Sequence, residues 1–264
     1  MYLCNKANLI ILKGDFFMDN KSVLNINKNY WDSTADEWFG VTSLPTYGVQ
    51  FVTEEELKLF GDVAGKKMLD IGCGSGHSLK YHGDNNAAEL WGIDMSTKQI
   101  ENANKYLTEC GYTPKLINAP MEVECGIPKD YFDFVYSIYA IGWTTDLQGT
   151  FNRIASYLKK DGIFIFSWKH PLHHCVVVEE DKLIFEKAYF DENWFTQLLD
   201  DCDITLCNRK ISTYINSLAK AGFVIEQMVE ETDKATMSST GNLDNRSKKA
   251  KMLPLSFIIK ARKL

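Results

Sequence analysis

The segment Leu69-Asp70-Ile71-Gly72-Cys73-Gly74-Ser75-Gly76 restricts the folds open to this chain more than any other stretch. A short apolar run meets glycines at every second position, and a helical pattern follows. Glycine accepts positive φ and leaves no Cβ where the backbone must approach another group. The segment therefore predicts a buried strand, a tight turn and a helix start. Strand and helix patterns keep alternating downstream, which implies an α/β fold with a doubly wound, mostly parallel sheet.

Seven strands are predicted, at Lys67–Ile71, Glu89–Asp94, Lys115–Asn118, Tyr131–Ser137, Ile163–Trp168, Phe223–Val229 and Leu253–Ala261. The fourth is apolar enough to be buried on both faces. A helix runs from Ser75 to about Tyr81. Ser96-Thr97-Lys98-Gln99 reads as a capping box before a helix with Ile100, Ala103, Leu107 and Cys110 on one face. Thr53 with Glu56 is a second capping box, opening a helix that carries Leu57 and Phe60. Thr145 to Gln148 caps a helix burying Leu147, Phe151, Ile154 and Leu158. Lys159 and Lys160 would close its last turn, where positive charge suits the helix dipole. Ser212 caps a later helix that turns Ile215 and Leu218 inward. Arg246–Lys251 reads as a solvated basic loop.

At the N-terminus, Ile26–Phe39 is an expected amphipathic helix over the core. Residues 1–25 are expected to be a leader, disordered or preceding the natural start. Lys13-Gly14-Asp15-Phe16-Phe17 can be encoded by AAA-GGA-GAT-TTT-TTT, a ribosome-binding sequence set before Met18. Intact mass of protein made from the native gene tests that start, and a species beginning at Met1 refutes it. Residues 26–264 read as one domain. Its rhythm breaks over residues 172–208, where Val176–Val178 and Leu183–Phe185 flank a turn as a hairpin inserted after strand five.

Composition narrows the classes. A net charge of −6 is unlike a general nucleic-acid binder. No apolar run approaches the ~20 residues of a membrane span. The 7 cysteines are odd in number and scattered, which argues for a reducing, cytoplasmic setting rather than disulfides. His170-Pro171-Leu172-His173-His174-Cys175 lacks a second ligand pair at matching spacing, so no metal is expected.

In doubly wound sheets, ligands bind beyond the carboxyl ends of the strands, at the point where the strand order reverses. Gly72–Gly76, Asp94 and Ser137–Tyr139 occupy those ends. Asp94 follows the turn by about 20 residues and closes the second strand, where a carboxylate can accept ribose hydroxyls. A dinucleotide site wants G-x-G-x-x-G with pyrophosphate on the helix N-terminus. This chain has G-x-G-x-G followed by His77, with Asp70 beside the turn. A carboxylate there suits a cofactor bearing a positive amino group better than a pyrophosphate. The alternatives carried forward are an NAD-dependent oxidoreductase and a non-catalytic binding protein.

From Lys66 to Trp168, and more loosely from Ser212 to Lys260, the chain resembles the class I S-adenosylmethionine-dependent methyltransferases. LDIGCGSG and the GID at Gly92–Asp94 carry the likeness. It implies a Rossmann-like fold and S-adenosylmethionine as cofactor. It implies that Gly72, Cys73 and Gly74 face the methionine moiety, with Asp70 near its amino group. Asp94 would take the ribose hydroxyls, and Met95, Pro120 and Met121 would wall the adenine, with Asn118 and Glu122 flanking its amino group. Ser137, Ile138 and Tyr139 would lie near the methyl group. The region between strand five and Ser212 would build the acceptor pocket, its Tyr189, Phe190 and Trp194 fitting an apolar or aromatic small molecule. His170 is the leading candidate base, with Tyr139, Asp146, His173 and His174 behind it. Tyr30, Trp31, Tyr47 and Trp143 could close over the cofactor.

Overall fold

The computed structural model describes residues 19–264. The proposed start at Met18 and the leader before it lie outside the described residues. The seven sheet strands are β1 (Lys67–Ile71), β2 (Glu89–Asp94), β3 (Lys115–Asn118), β4 (Phe132–Ile138), β5 (Leu158–Lys169), β10 (Phe223–Val229) and β11 (Ser256–Lys263). Between β5 and β10 lie β6 (Val176–Glu179), β7 (Lys182–Phe185), β8 (Trp194–Leu199) and β9 (Cys202–Cys207). The helices are α1 (Asn20–Ser33), α2 (Glu54–Leu57), α3 (His77–Asp84), α4 (Thr97–Glu109), α5 (Leu147–Tyr157), α6 (Pro171–Cys175), α7 (Ile211–Lys220), α8 (Lys234–Ser238) and α9 (Asn245–Ala250).

The sheet order is β10-β11-β5-β4-β1-β2-β3. Strands β5 to β3 run parallel, and β11 is inserted antiparallel between β10 and β5. The chain winds outward from β1 to β3 and then crosses back to lay β4 on the other side of β1. The order therefore reverses between β1 and β4, where Asp70 registers with both Gly92 and Tyr136. Alternation along the strands feeds a core on each sheet face. Leu69 and Ile71 join Phe164 and Phe166 on one side, and Met68 joins Tyr136 and Ile165 on the other. Asp70 is thereby buried in an apolar layer, 2% exposed.

Several elements differ from the sequence expectation. Helix α1 starts at Asn20, because the Asp19 side chain accepts from Ser22 N, so the fold extends back into the expected leader. It stops at Ser33 rather than Phe39, because Thr34 turns both its N–H and its hydroxyl onto Tyr30 O. Helix α2 has its capping box but ends at Leu57, before Phe60. The buried Glu54 carboxylate takes Leu59 N, Phe60 N and the Tyr47 hydroxyl, so those amides leave the helical ladder.

Helix α5 is capped by Asp146, which accepts from Gly149 N, and not by Thr145. Lys159 and Lys160 belong to β5, and Lys159 pairs with Asp133 at 2.8 Å. Helix α7 begins before Ser212 and has no side-chain cap. The expected basic loop is helix α9, capped by Asp244. After β5 there are two hairpins, β6–β7 and β8–β9, where the sequence signalled one. For the second, the sequence offers only the aromatics before it and Trp194, which opens β8.

Candidate active site

A cavity of about 830 Å³, counted out to its open mouth, lies at the switch point. The turn after β1 is set by backbone contacts to β2: Gly72 N and Cys73 N both donate to Ile93 O. Gly72 has φ 76°, and a Cβ there would overlap Ala140, so only glycine fits between the two strand ends. Asp70, Gly72, Cys73, Gly74, Asp94, Met95, Met121, Ile138 and Tyr139 all line this cavity.

Asp94 is held at both oxygens: Oδ2 accepts from Gly74 N at 2.9 Å and Oδ1 from Ser96 N at 2.8 Å. An ionised carboxylate offers about four acceptor positions, so capacity remains for further donors. Burial pushes its pKa up to about 6 despite these hydrogen bonds. Asp70 is pushed further, well above the usual carboxylate range, first by burial and then by the Asp94 charge. Its Oδ1 is fully buried and makes no hydrogen bond of normal geometry, the Tyr136 hydroxyl being the nearby group that favours its charge. Such an oxygen is costly unless a donor, best a cationic one, comes to it.

Gln99 completes the arrangement and was missed from sequence. The capping-box pattern assigns its side chain to the Ser96 amide, but Asp94 occupies that amide. Gln99 Oε1 is left buried without a partner in the cavity wall, over Gly74. Its backbone N–H still donates to Ser96 Oγ.

The remaining predicted residues divide. Ser137 does not line the cavity; its hydroxyl donates to Ile71 O at 2.8 Å and ties β4 to β1 beneath it. Pro120 also stands outside the lining and accepts from Val123 N in the turn that brings in Met121. Asn118 is spent locally, donating to Asp94 O and Met95 O. Glu122 lines the cavity while its Oε1 accepts from both the N–H and the hydroxyl of Thr145.

Tyr139 sits in the left-handed region at φ 57°, a strained conformation for a non-glycine residue. Its N–H donates to Ser167 Oγ, and its hydroxyl lies 3.3 Å from Ser256 Oγ. Burial raises its pKa, so the phenol stays protonated and is a poor base.

His170 is not brought to this cavity. It caps α6, accepting from Leu172 N through Nδ1, and its Nε2 meets Glu230 at 2.6 Å. It lines a second cavity, together with His173 and His174. Asp146 is a helix cap.

Of the aromatics, Trp31 and Trp143 line the first cavity and meet edge-to-face at 5.2 Å. Tyr30 is buried behind Trp143, stacked at 6.2 Å. Tyr47 is a core residue tied to Glu54 and does not reach the cavity. Trp31, Trp38 and the 40–43 loop thus form one wall of the cavity, and Gly40 N donates to Ser75 Oγ. Asp32 docks α1 onto the start of α4 by accepting from Ser96 Oγ and Lys98 N.

Residues 69–166 match the methyltransferase domain family. An uncharacterized Haemophilus influenzae protein is 30% identical over 225 residues, which is 79% of this chain and 85% of its own. A sterol 24-C-methyltransferase of Aspergillus fumigatus is 32% identical over 106 residues, 39% of this chain and 28% of the fungal one. A solved S-adenosylmethionine dependent methyltransferase from Mesorhizobium loti has the same fold, with a TM-score of 0.66 at 21% identity over 78% of this chain and 95% of its own. The fold and the glycine-turn cavity define a doubly wound nucleoside-cofactor enzyme. Within that class, the chain belongs to the class I S-adenosylmethionine-dependent methyltransferase family.

Proposed function

We propose that this enzyme moves the methyl group of S-adenosylmethionine to a small-molecule acceptor, and that the switch-point cavity holds the donor. One observation carries the placement. Two buried acceptors without partners, Asp70 Oδ1 and Gln99 Oε1, stand in the wall on either side of the glycine turn. A ligand with an ammonium group and amide-like donors fits that pair, whereas a pyrophosphate would be repelled by it. Asp94 would accept the ribose hydroxyls with its remaining lone pairs. Met95 and Met121 would face the adenine, with Gly72, Cys73 and Gly74 along the methionine moiety.

The bound sulfonium supplies an electrophilic methyl and a neutral leaving group. No oxyanion develops, so the chain's work is to align acceptor and donor, which can be worth several kcal/mol. Ile138 and the strained Tyr139 would form the wall nearest the reacting groups. Trp31, Trp38 and Trp143 would exclude water and present aromatic faces to a cation. Tyr139, protonated and tied to Ser256, acts here as a positioning group. An acceptor already anionic, or with a free lone pair, needs no protein base.

Titration calorimetry with S-adenosylhomocysteine, S-adenosylmethionine and NAD tests the donor assignment. Micromolar binding of the first two and none of NAD is expected; NAD binding alone overturns the reading. A methyl-release screen against a metabolite panel then tests catalysis, and binding without turnover of any acceptor favours a non-catalytic role.

A further inference from the structure

A second cavity, about 1040 Å³ including its mouth, opens beyond the end of β5 between α6, the two hairpins and α9. Its chemistry is the reverse of the first. Lys187, Arg209 and Lys249 line it, and none of them forms a salt bridge among the described residues. Arg209 is 7% exposed. Its guanidinium donates to two neutral carbonyls, Gly142 O at 3.3 Å and Thr144 O at 2.7 Å, lies beside the Tyr214 hydroxyl and stands over the Trp194 ring at 5.6 Å, and no carboxylate is among these partners. A buried cation without a counter-charge is strongly unfavourable, and an arriving anion relieves it.

Lys187 donates to His174 Nε2 at 2.9 Å, and Lys249 to His173 O and Val176 O, again without a carboxylate. Burial lowers the pKa of both lysines. His173 and His174 are held neutral, at about 3 and about 4, by burial and by the surrounding cations. Glu186 is the acid in the lining, and it is exposed. The rest of the wall mixes apolar side chains, chiefly Trp168, Val177, Phe195 and Leu206, with the polar Lys169, Gln197 and Asn208.

The two cavities share a partition. The Trp168 ring packs 5.4 Å from Tyr139 and 6.1 Å from Trp143, both of which line the first cavity. A Cβ on Gly142 would fall inside the Trp168 ring, so the glycine lets the indole lie flat on that turn. Arg209 grips the same turn from the other side through Gly142 O.

We propose that the second cavity anchors the anionic end of the methyl acceptor, a carboxylate or phosphate on an apolar body long enough for its reacting end to pass the Trp168 partition into the first cavity, with Arg209, Lys187 and Lys249 as the anion-binding groups. As an acceptor site it rests on the methyltransferase reading; as an anion site it does not. The aromatics first expected to receive the acceptor do not reach this cavity. Phe190 is 81% exposed, Trp194 stands outside the lining with its ring under the Arg209 guanidinium, and the Tyr189 hydroxyl accepts from Ile211 N.

The test titrates the full chain with naphthalene-2-carboxylate, 2-naphthyl phosphate and neutral 2-naphthalenemethanol, with and without S-adenosylhomocysteine. At least one anion is expected to bind about tenfold or more tighter than the alcohol. The carboxylate and phosphate arms identify the preferred anion. Lys187→Gln and Lys249→Gln should each weaken that anion about tenfold while leaving S-adenosylhomocysteine affinity unchanged. In the methyl-release screen, turned-over compounds should be acids, and both variants should raise their KM. Equal binding of the alcohol and the anions, anion binding insensitive to both lysines, or turnover of neutral compounds alone overturns the proposal. Anion binding by a chain that binds no S-adenosylhomocysteine overturns the acceptor role and leaves the anion site standing.

Discussion

The two cavities at the carboxyl end of the sheet are electrostatic opposites. The first gathers Asp70, Asp94 and Glu122 around a turn of bare backbone. The second gathers Lys187, Arg209 and Lys249 in a wall of mixed apolar and polar side chains. One is built from short consecutive segments at the ends of β1, β2 and β4, the other from an insertion after β5. A single tryptophan layer separates them. The contrast teaches that one sheet end can set an acidic lining and a basic lining side by side without either neutralising the other. Helix α1 touches both halves: Trp31 lines the first cavity, and Asn27 grips β9 of the second.

The largest expected effect is on the acidic side. Asp94→Ala should weaken S-adenosylhomocysteine by about 100-fold, the loss of two charge-assisted hydrogen bonds. Calorimetry measures it, cooperative thermal unfolding shows that the variant is folded, and naphthyl-anion binding should be unaffected. An unchanged affinity removes Asp94 from the ribose. Next comes the bridge between the halves. Asn27 donates to Thr205 O and accepts from Thr205 N, each at 2.8 Å, in a buried position. Asn27→Ala strands both backbone groups and should cost about 2 kcal/mol in urea denaturation. A cost near zero means that α1 docks on its apolar face and the Asp32 contacts alone.

Asp70→Asn should act in two directions. It removes the charge that would meet an ammonium, so S-adenosylhomocysteine affinity should fall about tenfold. The folded-state pKa of Asp70 lies above its unfolded value, so ionisation opposes folding above the unfolded pKa. The variant should therefore be more stable than the parent at pH 7.5, by about 1 kcal/mol, and the gain should fade below about pH 4. A loss of stability at pH 7.5 shows that Asp70 has a structural partner instead.

The smallest effect is on pH dependence. Burial holds Asp94 at about 6 in the free protein, and hydroxyl donors favour its ionised form. Affinity should fall about fourfold from pH 7 to pH 5.5, with proton release on binding. Calorimetry in buffers of different ionisation enthalpy measures the released protons. A flat profile places the ribose elsewhere.

The legible parts of the molecule are those that short-range rules control. The bounds of β1, β2, β3 and β10 read from sequence match the structure. Alternation and glycine punctuation depend only on neighbours along the chain. Helix ends were less legible where a carboxylate that the tertiary fold buries captured nearby amides. Glu54 ended α2, and Asp94 displaced Gln99 from its expected cap. His170 illustrates the same limit, since proximity to the end of β5 did not show which of two cavities it would join.

By itself the sequence determined the strand, the glycine turn and the acidic residue about 20 positions on, because backbone sterics and hydrophobic periodicity act locally. It thereby determined the family and the donor side of the chemistry. Only the tertiary structure decided that Gln99 faces the cavity and that Arg209 is buried against Gly142 without a counter-charge. It alone placed Trp168 between the two sites. The bond behind the Arg209 decision crosses 67 residues to Gly142, and the one that holds α1 on β9 crosses 178 from Asn27 to Thr205. No local pattern encodes such pairs; they form when the packed sheet brings those ends together.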